Sequence, residues 1–250
     1  MIRLALRAAA ILAGLCLCVP LHYLWRLFGA RSIWPQVFLG YVGRCCGLRV
    51  RVEGNPLREK VLVAANHVSW LDILALGGGA PVNFVARHDV EGWPAVGWAA
   101  DLNDTIYIAR DARRAVKGQA DALRQALAGG RAVALFPEGT TEAGRELLPF
   151  RASLFASLFP VLDGVRVQPV AIDYGEAFDA VAWIGDEGYT LNAKRILSRP
   201  GTIPVTLRFL APIDPAEAGD RKRLAALSQA AVAAALGASE PGSDPLYPPR

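Results

Sequence analysis

A histidine and an aspartate stand five residues apart in the segment Asn66-His67-Val68-Ser69-Trp70-Leu71-Asp72. A carboxylate that holds one imidazole nitrogen leaves the other free to take a proton from a hydroxyl, so the pair has the makings of an oriented general base. On one continuous helix the two side chains would point roughly 140° apart, because each residue turns the chain by about 100°. They can meet only if His67 lies in a loop and the helix begins after it. Ser69 is a residue type that caps such a start. The same spacing, Ser69-x-x-Asp72, also fits a capping box in which Asp72 binds only backbone N–H. Spacing alone leaves both readings open. The chain contains no Gly-x-Ser-x-Gly elbow, so such a base would act on a substrate hydroxyl directly, without a covalent enzyme intermediate.

A second polar island follows about 70 residues later, Phe136-Pro137-Glu138-Gly139-Thr140-Thr141, and leads into Gly144-Arg145-Glu146-Leu147-Leu148-Pro149-Phe150-Arg151. It places a carboxylate at a strand end beside mobile backbone N–H groups, although Pro and Gly are also what an ordinary turn requires. Metal chemistry finds little support. The chain has three histidines and four cysteines. Cys16, Cys18, Cys45 and Cys46 have no ligand spacing to any histidine and read as small buried hydrophobes. No metal and no bound cofactor are expected. Gly77-Gly78-Gly79 ends a helix and lacks the context of a phosphate loop.

Both islands need elements to hold them. Short apolar runs predict strands at Leu48–Glu53, Val61–Ala65, Val82–Ala86, Thr105–Ala109, Ala132–Phe136, Val165–Ile172 and Val205–Leu210. Between them Arg113–Ala128 has helical periodicity, with Val116, Ala120, Leu123 and Leu127 on one stripe and Gly129-Gly130 as its stop. A C-terminal helix is predicted over Ala216–Leu236. Alternating strands and helices give an α/β fold, a mostly parallel central sheet flanked by helices. The islands fall directly after two of the strands, where open α/β sheets carry their sites.

The first quarter of the chain is different. Residues 1–60 hold nine Arg and Lys against two acids, while residues 61–250 hold eighteen against twenty-one. The positive charge brackets the apolar run Ala8–Trp25, whose eighteen residues would rise about 27 Å as a helix, near the ~30 Å of a hydrocarbon core. Basic flanks and interfacial Trp25 and Trp34 fit a lipid surface better than a nucleic acid, whose binders spread Arg and Lys over a folded face. Pro20 is expected to interrupt this helix, and Trp34–Val42 is too short to span. No cleavage site follows, so an uncleaved membrane anchor is expected. The divisions predicted are a membrane-anchoring helical region at 1–45, a catalytic domain at 46–238 and a flexible tail at 239–250.

Taken in order, the motifs resemble those of the 1-acyl-glycerol-3-phosphate acyltransferase family of lysolipid acyltransferases. His67 and Asp72 stand as its His-x4-Asp motif. Ile106-Tyr107-Ile108-Ala109-Arg110 is similar to its strand ending in Arg, Phe136-Pro137-Glu138-Gly139-Thr140 to its third motif, and Val167-Gln168-Pro169-Val170 to its proline-containing strand. The resemblance implies a lysolipid hydroxyl as acceptor and an acyl-coenzyme A or acyl carrier protein thioester as co-substrate. It implies catalysis by His67 and Asp72, placement of the acceptor by Glu138, Gly139 and Thr140, and a headgroup site at Arg110. It also implies association with the bacterial inner membrane through a shallow N-terminal helical segment, with the catalytic domain on the cytoplasmic side.

One departure concerns the acceptor. Many lysophosphatidate-using members carry Arg directly after Glu-Gly-Thr, whereas this chain has Thr141. That run is similar to the lyso-ornithine lipid branch, whose acceptor has no phosphate, and Arg145 or Arg151 could restore the missing charge. Family breadth makes lysophosphatidic acid, yielding phosphatidic acid, the first expectation and lyso-ornithine lipid the alternative. A non-catalytic lipid-binding membrane protein and a thioesterase or lipid hydrolase are the readings from other classes. A mere binder has no need of an oriented base.

Overall fold

The computed structural model describes residues 2–29, 31–92, 96–108, 113–141, 145–183 and 187–237. Among them seven strands form within two residues of the predicted boundaries: β1 Leu48–Glu53, β2 Val61–Ala65, β3 Asn83–Arg87, β4 Ile106–Ile108, β5 Ala132–Leu135, β6 Arg166–Asp173 and β7 Ile203–Phe209. They join one sheet in the order β1-β7-β6-β2-β5-β3-β4. Strands β2 to β6 run parallel, and β1 and β7 run together against them, the reversal falling at the antiparallel β6–β7 pair. The mostly parallel α/β sheet expected from the sequence is the one observed.

The longer helices are α1 Ile2–Leu27, α2 Trp34–Cys46, α3 Leu71–Gly79, α4 Arg113–Ala128, α5 Tyr189–Ser198 and α6 Arg221–Gly237. At the centre, every residue of β2 is buried, as its unbroken apolar sequence requires of a strand covered on both faces. Val61, Val63 and Ala65 pack with Leu71, Leu74 and Ala75 of α3 and Ile196 of α5. Leu62 and Ala64 face the other way, onto Leu123 and Leu127 of α4 and Leu224 and Val232 of α6. A sheet sealed on both sides leaves its strand ends as the place where polar side chains can meet a ligand.

Helices α1 and α2 form a hairpin, held by the Tyr41 hydroxyl donating to the Ala10 carbonyl at 3.0 Å. Helix α1 continues through Pro20, contrary to the interruption expected. The proline forfeits one helix hydrogen bond, which the remaining bonds of a 26-residue helix outweigh. With 26 residues, α1 is long and apolar enough to cross a membrane, and Leu6, Leu12 and Leu17 stand exposed along it. The hairpin is fastened to the sheet at two places. A Cβ on Gly78 of α3 would come within 2.5 Å of the Gly40 Cα in α2, so only two glycines allow these helices to approach so closely. Arg7 donates to the carbonyls of Ile196 and Leu197 at 3.1 and 3.3 Å, placing a cation at the negative end of α5.

The C-terminal helix differs from prediction in one respect. A short turn at Pro215–Ala218 ends at Gly219, whose φ is 81°. The Asp220 carboxylate then accepts from Lys222 and Arg223 N–H at 2.7 and 3.0 Å and starts α6 afresh. Nothing in a helical hydrophobic pattern signals such a break except the Gly-Asp pair itself. The tail at 239–250 lies outside the described residues.

Candidate active site

Strands β2 and β5 are parallel neighbours, with Val61 opposite Ala132 and Ala64 opposite Leu135. The segments that leave their C-terminal ends therefore emerge side by side, which brings the two sequence islands together. Asn66 begins the first of them. Its side chain donates to the Ile172 carbonyl at 3.0 Å and accepts the Ile172 N–H at 2.7 Å. It thus continues the ladder to β6 after the backbone has turned away, and His67 is fixed where it leaves the sheet.

His67 Nδ1 lies 2.8 Å from Asp72 Oδ2. The same oxygen accepts the N–H groups of Val68 at 2.7 Å and Ser69 at 2.9 Å. The base and the capping interaction are therefore not alternatives, because one carboxylate oxygen serves both. An oxygen accepting two backbone N–H bonds is the ionised acceptor, so the imidazole proton resides on Nδ1. Among the described residues nothing bonds Nε2, and the side chain keeps 17% of its exposure while Asp72 keeps none. The ring is steadied by Phe136 at the end of β5, stacked at 4.0 Å and 12°. Helix α3 starts at Leu71, and Trp70 just before it makes no side-chain cap bond. Ser69 caps the start as its residue type predicts: its hydroxyl accepts the Leu71 N–H at 3.4 Å and its carbonyl accepts the Asp72 N–H at 3.0 Å.

The sequence reading missed Tyr174. Its hydroxyl donates to Asp72 Oδ1 at 2.7 Å, and burial pushes the phenol well above its ordinary pKa, with the Asp72 charge adding to the effect. It therefore stays a neutral donor. The one signal that could have found it is position: it follows β6, the other neighbour of β2, at the same sheet end.

Glu138 is 3% exposed. One carboxylate oxygen accepts the His67 N–H at 2.7 Å and the other the Leu148 N–H at 2.9 Å. Both oxygens are thus engaged with backbone, and the residue positions the His67 backbone. Burial raises its pKa, and the two N–H bonds only partly oppose this. With His67 N–H taken by Glu138 and the N–H groups of Val68 and Ser69 taken by Asp72, none of these three amides can hold an oxyanion. Gly139 turns the chain at a φ of 74°, and Thr140 is half-buried beside it.

The structure separates the two arginines proposed to replace charge at position 141. Arg145 pairs with Asp179 at 2.7 Å and lies 4.8 Å over the Phe178 ring. Arg151 has its backbone N–H on the Pro137 carbonyl at 3.0 Å, and its guanidinium carbon lies 3.1 Å from where a Cβ on Gly139 would stand. Thr141 is spent elsewhere, its hydroxyl donating to the Trp183 carbonyl at 2.9 Å. Arg110 lies outside the described residues.

The chain is similar to known proteins in sequence and in fold. The acyltransferase family model matches residues 49–173. A lyso-ornithine lipid O-acyltransferase of Rhodobacter capsulatus is 36% identical over 94% of this chain and 90% of its own. The chain belongs to the acyltransferase family. A 1-acyl-sn-glycerol-3-phosphate acyltransferase of Neisseria gonorrhoeae is 35% identical over 73% of each chain. The crystal structure of the 1-acyl-sn-glycerophosphate acyltransferase of Thermotoga maritima superposes with a TM-score of 0.63 over 96% of this chain and 97% of that one, at 22% identity. That likeness establishes the shared fold. In this acyltransferase, then, β2, β5 and β6 each contribute from the same sheet end: His67 with Asp72, Glu138, and Tyr174.

Proposed function

We propose that this acyltransferase moves a fatty acyl group from a coenzyme A or acyl carrier protein thioester to the free hydroxyl of lyso-ornithine lipid. The acceptor oxygen attacks the thioester carbonyl as its proton passes to His67 Nε2. The tetrahedral intermediate then collapses, the C–S bond breaks, and the thiolate takes that proton from the imidazolium. Asp72 holds the ring and balances its charge throughout. The observation that carries this reading is the 2.8 Å contact of Nδ1 with a buried carboxylate, on a ring whose Nε2 has no partner among the described residues.

Two features favour an acceptor without phosphate over lysophosphatidic acid. Four lyso-ornithine lipid O-acyltransferases match at 35–36% identity over 84–94% of this chain, whereas the two Neisseria enzymes named for glycerol-3-phosphate match 68–73% of it. The residue after Glu-Gly-Thr is also a threonine whose hydroxyl is occupied. The apolar α1 supports a membrane location, which we assign to the bacterial inner membrane with the sheet on the cytoplasmic side, where acyl thioesters are made.

Purified protein offered labelled acyl thioester with lyso-ornithine lipid, lysophosphatidic acid or lysophosphatidylcholine should acylate the first fastest. His67→Ala should lower that rate by about 10²–10⁴-fold while vesicle binding persists. Release of free fatty acid at the same rate without any lysolipid would favour a hydrolase instead.

A further inference from the structure

Among the described residues most arginines near the sheet's active end are already engaged. Arg145 is paired with Asp179, Arg195 with Glu187, and Arg208 with Glu53 and Asp173. Arg7 donates to backbone carbonyls. Arg151 differs. It is exposed, and among the described residues no carboxylate or carbonyl meets its guanidinium. Yet the side chain is closely placed. Its Cζ, Nη1 and Nε lie 3.1, 3.2 and 3.3 Å from the position a Cβ on Gly139 would take, so the fork lies flat across that glycine. Its own backbone is tied to Pro137 by the 3.0 Å N–H bond. Gly139 is thus glycine for two reasons: its positive φ, and the guanidinium that fills the space above it.

Its place relative to the chemistry follows from connectivity. Gly139 is bonded to Glu138, whose carboxylate holds the N–H of His67 at 2.7 Å. The guanidinium therefore sits one residue from the clasp that positions the base. The described side chains around that base carry two buried carboxylates, Asp72 and Glu138, and an anionic headgroup would be repelled unless a cation faced it. At position 141 a threonine donates its hydroxyl to Trp183 and offers no charge. We infer that Arg151 is the receptor for the anionic group of the acceptor headgroup, gripping it through the two-pronged geometry that guanidinium shares with carboxylate and phosphate. In lyso-ornithine lipid that group is the free carboxylate of the amino acid, and in lysophosphatidic acid it would be the phosphate. The inference rests on the proposed reaction and deepens it by naming the residue that reads the headgroup.

Steady-state kinetics of the full-length protein and of Arg151→Gln and Arg151→Lys test it. The acceptors are lyso-ornithine lipid, its carboxyl methyl ester and lysophosphatidic acid. Arg151→Gln should raise KM for lyso-ornithine lipid about tenfold or more, with kcat and the donor KM little changed. Arg151→Lys should recover part of that loss. With the methyl ester, the wild type should already show the raised KM, and the substitution should add nothing. Equal effects of Arg151→Gln on acid and ester, a rise in donor KM alone, or no change with any accepted acceptor would each overturn the inference. If the wild type turns over only lysophosphatidic acid, the choice of acceptor fails but Arg151 is still judged, because Arg151→Gln must then raise KM for that acceptor.

Discussion

At the scale of single residues the site is built around one buried carboxylate. Asp72 accepts from the His67 ring, two backbone amides and the Tyr174 hydroxyl, so each of its oxygens has a fixed direction. A phenol donating to a charged acceptor contributes about 1.5–3 kcal/mol. Tyr174→Phe should therefore lower kcat by about tenfold or more with KM for the acceptor unchanged. An unaltered kcat would show that the two amides suffice to hold Asp72. Glu138 gives a second prediction, one of sign. Burial raises its pKa in the folded protein, so between its unfolded and folded values the folded state holds the extra proton. Stability from this group is complete at pH below the unfolded value and is lost as pH rises through the folded one. Chemical denaturation of wild type and Glu138→Gln across that window should show the wild type losing stability relative to the variant as pH rises. A difference independent of pH would mean that Glu138 does not titrate abnormally.

At the scale of elements, three neighbouring parallel strands act as one platform. The pairs β2–β5 and β2–β6 fix the heights at which residues 66, 136 and 174 leave the sheet, and the Asn66 side chain prolongs the second pairing. Helix α3 links this platform to the hairpin, since it carries Asp72 at its start and Gly78 near its end. A Cβ on Gly78 would lie 2.5 Å from Gly40 Cα and 2.8 Å from its nitrogen, both backbone atoms that cannot move aside. Gly78→Val should destabilise the protein by about 1–3 kcal/mol through overpacking. The expected outcome in a thermal melt is a lower midpoint, with Gly40 and α2 displaced from α3. A melt matching the wild type would mean that the two helices separate at no cost.

At the scale of the whole molecule, a sealed α/β sheet carries a hairpin whose outer face is apolar. Leu12 and Leu17 are 59% and 61% exposed, an arrangement costly in water and favourable in a bilayer, at about 25 cal/mol for each Å² of apolar surface removed from water. The double substitution Leu12→Glu with Leu17→Glu should release the protein from vesicles in cosedimentation, while the core of the sheet stays folded by circular dichroism. Retention on vesicles would place the membrane contact elsewhere. Arg7 and the Gly40–Gly78 contact bind the hairpin to helices α5 and α3 beside the sheet.

The sequence by itself determined what is periodic or local. The seven strands, the stripe of α4 and the apolar N-terminus follow from patterns read over five to twenty neighbouring residues, and the two motifs from their residue types. Pairings across long stretches of chain were decided only by the tertiary structure. Spacing could not choose between a base and a cap for Asp72, because one oxygen does both. It could not find Tyr174, 102 residues away, or reveal that Glu138 clasps the backbone of His67 and Leu148. Nor could it tell Arg145, paired with Asp179, from Arg151, which meets no carboxylate among the described residues. Each of these depends on which strands lie side by side, and strand order is set by how the whole chain buries its apolar faces, which no local window contains.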